Sequence, residues 1–180
     1  MSHFLIIKAT EDVTESQLCF LVGYIESLGN SLDLFDLDDS LLKDIINNSE
    51  STFLYDYIYI ISHGNDEFFG DDNGSTHSWF ELSQLIEKSK NFAKDTTLII
   101  KSCYGGNSNV AKSIFENCNK IKYVFGIDGE VQNFDMFVSS MLLLYYILWK
   151  NKSIESSVSL SNSATELNAV IFNRDSFKTF

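Results

Sequence analysis

Proline is missing from this chain altogether. That excludes a proline-rich linker, and no internal repeat or low-complexity block divides the chain either. The absence goes with abundant Asn, Ile, Lys and Ser, which reads as an AT-rich genome and so concerns ancestry rather than mechanism. Basic residues are scarce: 13 Lys and Arg face 25 Asp and Glu, a net charge of −12. That balance argues against nucleic acid and against an anionic membrane surface as partners. The three cysteines, Cys19, Cys103 and Cys118, form no CxxC pair and no metal-ligand spacing. Their odd number and the lack of a cleavable leader point to a reducing, cytoplasmic setting. The most apolar run, 136–149, falls short of the roughly twenty residues a membrane span needs, and Ser139 and Ser140 interrupt it. It is expected to be a buried helix.

What remains is the composition of one folded unit. The 180 residues are 44% hydrophobic and 14% aromatic, enough for one compact domain over 1–180 with one core. Acidic clusters occur at Asp33, Asp36, Asp38 and Asp39, and at Asp66, Glu67, Asp71 and Asp72. They read as solvated loops that keep the protein soluble, or as a lip attracting basic peptides. Buried-strand patterns cover 4–8, 53–62, 96–102 and 122–127. Residues 32–37 alternate apolar and acidic, which predicts an edge strand with one wet face. Helical spacing covers 14–28, 79–90, 107–117, 134–150 and 153–168, with a short helix at 39–47. Thr14 and Ser78 are predicted caps, and Glu81 would complete a capping box with Ser78. Residues 64–77 form a loop or small hairpin, and 170–180 a final strand and tail. Strand and helix alternate, so the expected fold class is α/β, a mostly parallel sheet with helices on both faces.

Two of the strands end in reactive side chains. Tyr57-Ile58-Tyr59-Ile60-Ile61-Ser62 runs into His63-Gly64, and Thr97-Leu98-Ile99-Ile100-Lys101-Ser102 runs into Cys103-Tyr104-Gly105-Gly106. Ligands bind at the carboxyl ends of parallel strands. If these strands are neighbours, a thiol and an imidazole share one crevice, which are the parts of a cysteine nucleophile site. A free thiol is only slightly ionised at neutral pH, so a paired base matters. His63 can supply it, and the N–H groups of Gly64 and Cys103 can hold an oxyanion. Gly105 and Gly106 would let the chain turn sharply beneath the sulfur.

A strand ending in His-Gly, followed by a later strand ending in a small residue, Cys, one residue and Gly, resembles the caspase-like cysteine peptidases. Lys101-Ser102-Cys103-Tyr104-Gly105 stands where caspases carry Q-A-C-[RQG]-G, and the histidine lies upstream of the cysteine as it does there. The helices at 134–150 and 153–168 resemble the C-terminal part of the small bacterial CHAT branch. This resemblance implies a three-layer sandwich, endopeptidase activity on a protein substrate, and no metal or organic cofactor. A chain this short holds little beyond a peptidase core, so a regulatory protein partner or ligand is expected. Some bacterial relatives serve in antiviral defence or cell suicide.

The matching position two residues before the cysteine is Gln, Asp, Glu or Ser in the various branches, and Lys101 here. In the family that side chain often points into the pocket for the residue before the scissile bond. A lysine there would repel Arg or Lys and pair with Asp or Glu. The alternative is that it points to solvent or to an acidic neighbour. Asp128 and Glu130 sit where loops line such a pocket and are substrate-binding candidates. Cys19 is expected in the core, Cys118 is expected to be structural, and Trp79 to anchor a helix to the sheet. Tyr104 is expected under the nucleophile, and His77 on the surface or leaning over the site. Two rival readings are a catalytically silent caspase-like scaffold and a flavodoxin-like nucleotide domain. The second would need a glycine loop after the first strand, and Lys8-Ala9-Thr10-Glu11-Asp12 has none.

Overall fold

The computed structural model describes residues 1–37, 41–48, 52–71 and 74–177. Asp38, Asp39, Asp72, the start of the short helix expected at 39–47 and the end of the tail expected at 170–180 lie outside them. Among the described residues eight strands and six α-helices follow in the order β1 (His3–Ala9), α1 (Glu15–Ser27), β2 (Ser31–Asp36), α2 (Leu42–Ile46), β3 (Tyr55–Gly64), β4 (Phe68–Gly70), β5 (Thr76–Ser78), α3 (Trp79–Lys88), β6 (Phe92–Lys101), α4 (Ser108–Asn117), β7 (Ile121–Ile127), α5 (Asn133–Leu144), α6 (Ile154–Thr165) and β8 (Ala169–Asn173). The main sheet runs β2-β1-β3-β6-β7-β8. Its pairs are parallel except β7–β8, so the sheet is mostly parallel. β4 and β5 form the small hairpin expected over 64–77, paired antiparallel to the end of β3.

Side-chain alternation along the strands builds the three layers. Leu5, Ile7, Ile58, Ile60, Leu98 and Ile100 face one side, against α2, α3 and α4. Phe4, Ile6, Tyr59, Ile61 and Ile99 face the other, against α1, α5 and α6. Trp79 anchors α3 to the sheet: it is fully buried, stacks on Phe69 at 4.7 Å, and donates its indole N–H to Asn65 O at 3.0 Å. Thr14 caps α1 in a complete capping box with Gln17. Ser139 and Ser140, which interrupt the apolar run of α5, are its polar joints. Ser139 Oγ meets Ser161 Oγ of α6 at 3.1 Å, and Ser140 Oγ meets the Tyr59 hydroxyl at 2.5 Å. The run from 145 to 149 continues as one π-helical turn. Among the described residues no helix is long and apolar enough to cross a membrane.

Three local expectations are corrected. Cys19 is exposed, because α1 packs through Leu18, Leu21, Tyr24 and Ile25 and turns Cys19 and Phe20 outward. β2 does lie at the sheet edge, but its acids do not form a wet face. Asp33 accepts from the Tyr55 hydroxyl at 2.6 Å and meets His3 Nε2 at 3.1 Å, and Asp36 accepts from Lys8 Nζ at 2.6 Å. Ser78 Oγ caps α3 by accepting from the Glu81 N–H, but the Glu81 carboxylate is engaged by His77 Nδ1 at 3.0 Å instead of completing a box.

Candidate active site

β3 and β6 are hydrogen-bonded neighbours, in register from Tyr57 against Thr97 to Ile61 against Lys101. Their carboxyl ends therefore place His63 and Cys103 at one edge of the sheet. β1 lies on the other side of β3 and ends level with it, Ala9 opposite Ser62. The loop after β1 thus reaches the same edge.

A cavity of about 250 Å³ opens there. Its walls include His63, Lys101 and Cys103 together with Thr10, Asp12, Ser62 and Asn133. A wider cleft of about 650 Å³ adjoins it, lined by Gly64, Cys103, Tyr104, Glu130 and Asp135 among others. Cys103, Val131 and Gln132 belong to both. The thiol therefore sits on the divide between a small pocket and an open groove.

Local backbone packing explains the glycines. A Cβ at Gly64 would lie 3.0 Å from both Phe68 O and Ser102 Oγ. Gly105 presses on Ile100, and Gly106 meets the backbone of Gly126 on β7. Tyr104 adopts a left-handed φ of 56°, which reverses the chain after the cysteine. The turn is tied to the loop after β7: Tyr104 N–H donates to Gly129 O at 2.9 Å and Gly106 N–H to Ile127 O at 3.0 Å. Among the described residues the Cys103 backbone N–H has no hydrogen-bond partner.

The Cys103 thiol donates to Val131 O, with sulfur and oxygen 3.9 Å apart. His63 Nε2 lies 2.9 Å from the Asp12 carboxylate. Imidazole and thiol are each engaged elsewhere rather than with one another. Lys101 is 5% exposed and donates to Asn133 Oδ1. It faces the α1/α5 layer because it is two residues on from Ile99, which does so too. Burial pushes its ammonium down to about 8, against a smaller opposing pull from Asp12. Ser62 Oγ is buried and without a hydrogen-bond partner among the described residues; two residues on from Ile60 and opposite Ala9, it faces the α2–α4 side of the sheet, away from Lys101. A buried hydroxyl without a partner carries a desolvation cost.

The remaining candidates separate. Glu130 lines the outer cleft, whereas Asp128 lines neither cavity and accepts from Asn107 Nδ2 at 3.2 Å. Tyr104 is part of the cleft wall rather than packed beneath the sulfur. His77 lines neither cavity. Cys118 is buried at the end of α4, where desolvation raises its thiol. Asp12, Ser62, Val131 and Asn133 escaped the sequence reading. The one signal for Asp12 was its place after β1, at the carboxyl edge. Among the described residues no group of His, Cys, Asp and Glu could hold a metal ion.

Among curated proteins none matches the chain. Residues 30–123, more than half of the chain, match a family described as Domain of unknown function (DUF8616). The matched stretch takes in His63, Gly64, Lys101 and Cys103, and the fold that carries them is that of a chain belonging to this family.

Proposed function

We propose that this chain is a cysteine endopeptidase that cleaves a protein substrate after an acidic residue. The observation that carries the reading is the placement of Cys103 between a pocket and a groove. The groove suits an extended peptide, and the pocket suits the single side chain before the scissile bond. Cys103 Sγ attacks the scissile carbonyl carbon while His63 takes the thiol proton. The N–H groups of Cys103 and Gly64 serve the oxyanion. The tetrahedral species collapses, the C–N bond breaks, and the departing amine takes the proton from His63. Water then hydrolyses the thioester, returning the thiol. Lys101 in the pocket supplies a charge for a substrate carboxylate. Local pocket charge outweighs the solvent-screened net charge of the molecule. Asp128, facing away from both cavities, is left out of the proposed site.

A regulatory partner belongs to the same reading. Thiol and imidazole are engaged with Val131 and Asp12 rather than with each other. A partner that shifts the 130–133 segment contacting the thiol would raise activity above the basal level the chain has alone.

The test is covalent labelling of the intact protein by irreversible cysteine-directed peptide probes carrying Asp or Arg before the reactive group, read by mass spectrometry. Labelling at Cys103 that needs His63 and prefers the Asp probe is the expected result. Labelling of Cys103 no faster than of exposed Cys19 would refute peptidase activity. A preference for the Arg probe would refute the role given to Lys101.

A further inference from the structure

The structure assigns Asp12 to the site as a positioning residue, one that fixes which nitrogen of His63 takes the thiol proton. This rests on the cysteine-peptidase reading and adds a third member to its two.

The imidazole Nε2 lies 2.9 Å from the Asp12 carboxylate. Two hydrogen-bond acceptors that close repel, so Nε2 is the nitrogen that carries a hydrogen. Among the described residues Nδ1 has no partner, and it becomes the base. In the proposed step the S–H bond of Cys103 breaks as an Nδ1–H bond forms, giving a thiolate and an imidazolium. The carboxylate then faces the new positive charge through Nε2–H. On collapse of the tetrahedral species Nδ1 returns its proton to the departing amine, and the site is neutral again. Asp12 keeps its own charge throughout.

Stability does not account for this contact. The pair is open to water, with side-chain exposures of 37% for His63 and 67% for Asp12. Exposed pairs of this kind add little to folding. Yet the backbone that carries Asp12 is fixed on three sides. The Asp12 N–H donates to Thr10 Oγ1 at 3.2 Å, the Glu11 N–H donates to Asp71 Oδ2 at 3.0 Å, and Asn133 Nδ2 donates to Asp12 O at 3.0 Å. Val13, the next residue, is buried in the α1/α5 layer. An exposed carboxylate on a loop tied by three hydrogen bonds, aimed at one nitrogen of an active-site imidazole, is the arrangement orientation requires. Asn133 also accepts from Lys101, so the residue that holds the Asp12 loop is part of the specificity pocket as well.

The experiment compares iodoacetamide alkylation of Cys103 in the full-length wild type and in Asp12→Ala, Asp12→Asn, Asp12→Glu and His63→Ala, with Cys19 as the internal reference. Wild-type Cys103 is expected to react faster than Cys19, and His63→Ala to remove the difference. Asp12→Ala is expected to slow Cys103 by at least about tenfold, less than the loss of a buried triad carboxylate costs because Asp12 is exposed. Asp12→Glu is expected to recover part of the rate. Asp12→Asn is expected to stay slow, since its amide can turn an N–H toward Nε2 and hold the wrong tautomer. With an acidic peptide substrate, Asp12→Ala should lower kcat more than it raises KM. All Asp12 variants should melt within about 2 °C of wild type, as loss of an exposed pair implies. An Asp12→Ala protein that reacts as fast as wild type, or faster, while His63→Ala is slow overturns the assignment and leaves the peptidase reading intact. Wild-type Cys103 no more reactive than Cys19 overturns both.

Discussion

Replacing Lys101 by methionine should make the protein more stable and less useful. Lys101 is 5% exposed, and among the described residues no carboxylate lies within salt-bridge distance of it. Its ammonium, ordinarily at 10.5, is pushed down to about 8 by burial. At about 1.4 kcal/mol for each factor of ten, the folded state disfavours the charged amine by roughly 3 kcal/mol. Methionine keeps most of the apolar stem and drops the charge, while giving up the bond to Asn133, which returns about 1 kcal/mol. A net gain of about 2 kcal/mol remains, or roughly 4 to 8 °C in Tm for a chain of this length. The pH dependence has a definite sign. Below pH 8 both states hold the proton, and the folded state bears the full cost. Between pH 8 and 10.5 the folded state releases its proton first, so the unfolded state binds more protons and wild-type stability rises with pH. The advantage of Lys101→Met should therefore be largest at pH 7 and narrow toward pH 10. Calorimetric melting of both proteins at pH 7 and 9.5 measures it, and labelling by an Asp probe measures the lost selectivity. A Met variant that melts below wild type at pH 7, or a gap that does not narrow, refutes the account of Lys101 as a charge buried at a cost to folding.

Two structural predictions follow from the same packing. A Cβ at Gly126 would sit 2.3 Å from Gly105 C and 2.5 Å from Gly106 N, both backbone atoms that cannot swing aside. Gly126→Ala should cost about 3 kcal/mol or more in a urea melt and slow alkylation of Cys103; a wild-type midpoint would contradict the close approach. Arg174 donates to Phe115 O and Ile121 O, at 2.7 Å each, and to Cys118 O, clamping the end of α4 to β7. Arg174→Lys keeps the charge but loses the fork, and should cost about 2 kcal/mol by the same measurement; no change would mean those carbonyls are satisfied without it.

The sequence displayed the layers because each strand alternates toward two buried faces and each long helix carries an apolar side. It displayed His63 and Cys103 because strand-end position is a local property; Lys101 entered only through the resemblance, as the position two residues before the cysteine, and its direction came from the packing beside Ile99. Asp12 showed far less: its place after β1 put it at the carboxyl edge, but nothing in Thr10-Glu11-Asp12 shows that β1 will lie beside β3. Asn133 likewise acts on Lys101 and on the Asp12 loop, both remote in the chain. Asp33 and Asp36 looked solvated because their partners, Tyr55, His3 and Lys8, come from neighbouring strands. Cys19 looked buried because α1 has apolar residues on more than one side, and only packing decides which side turns inward. Glu81 had two routes open, its own helix cap or His77, and the sequence gives no means of choosing.

The spread of the site along the chain has a consequence for biosynthesis. The imidazole, the thiol, the Asp12 loop and the 130–133 wall come from four separate stretches, and the 130–133 wall is the last of them to be made. A nascent chain that has just released Cys103 from the ribosome has a sulfur and a histidine but no Val131 carbonyl, no Asn133 and no finished pocket. Parallel strands pair only after long connections have closed, so the edge that holds the site is among the later parts to assemble. Truncated products of translation would thus carry His63 and Cys103 without the arrangement that the proposed peptidase activity requires.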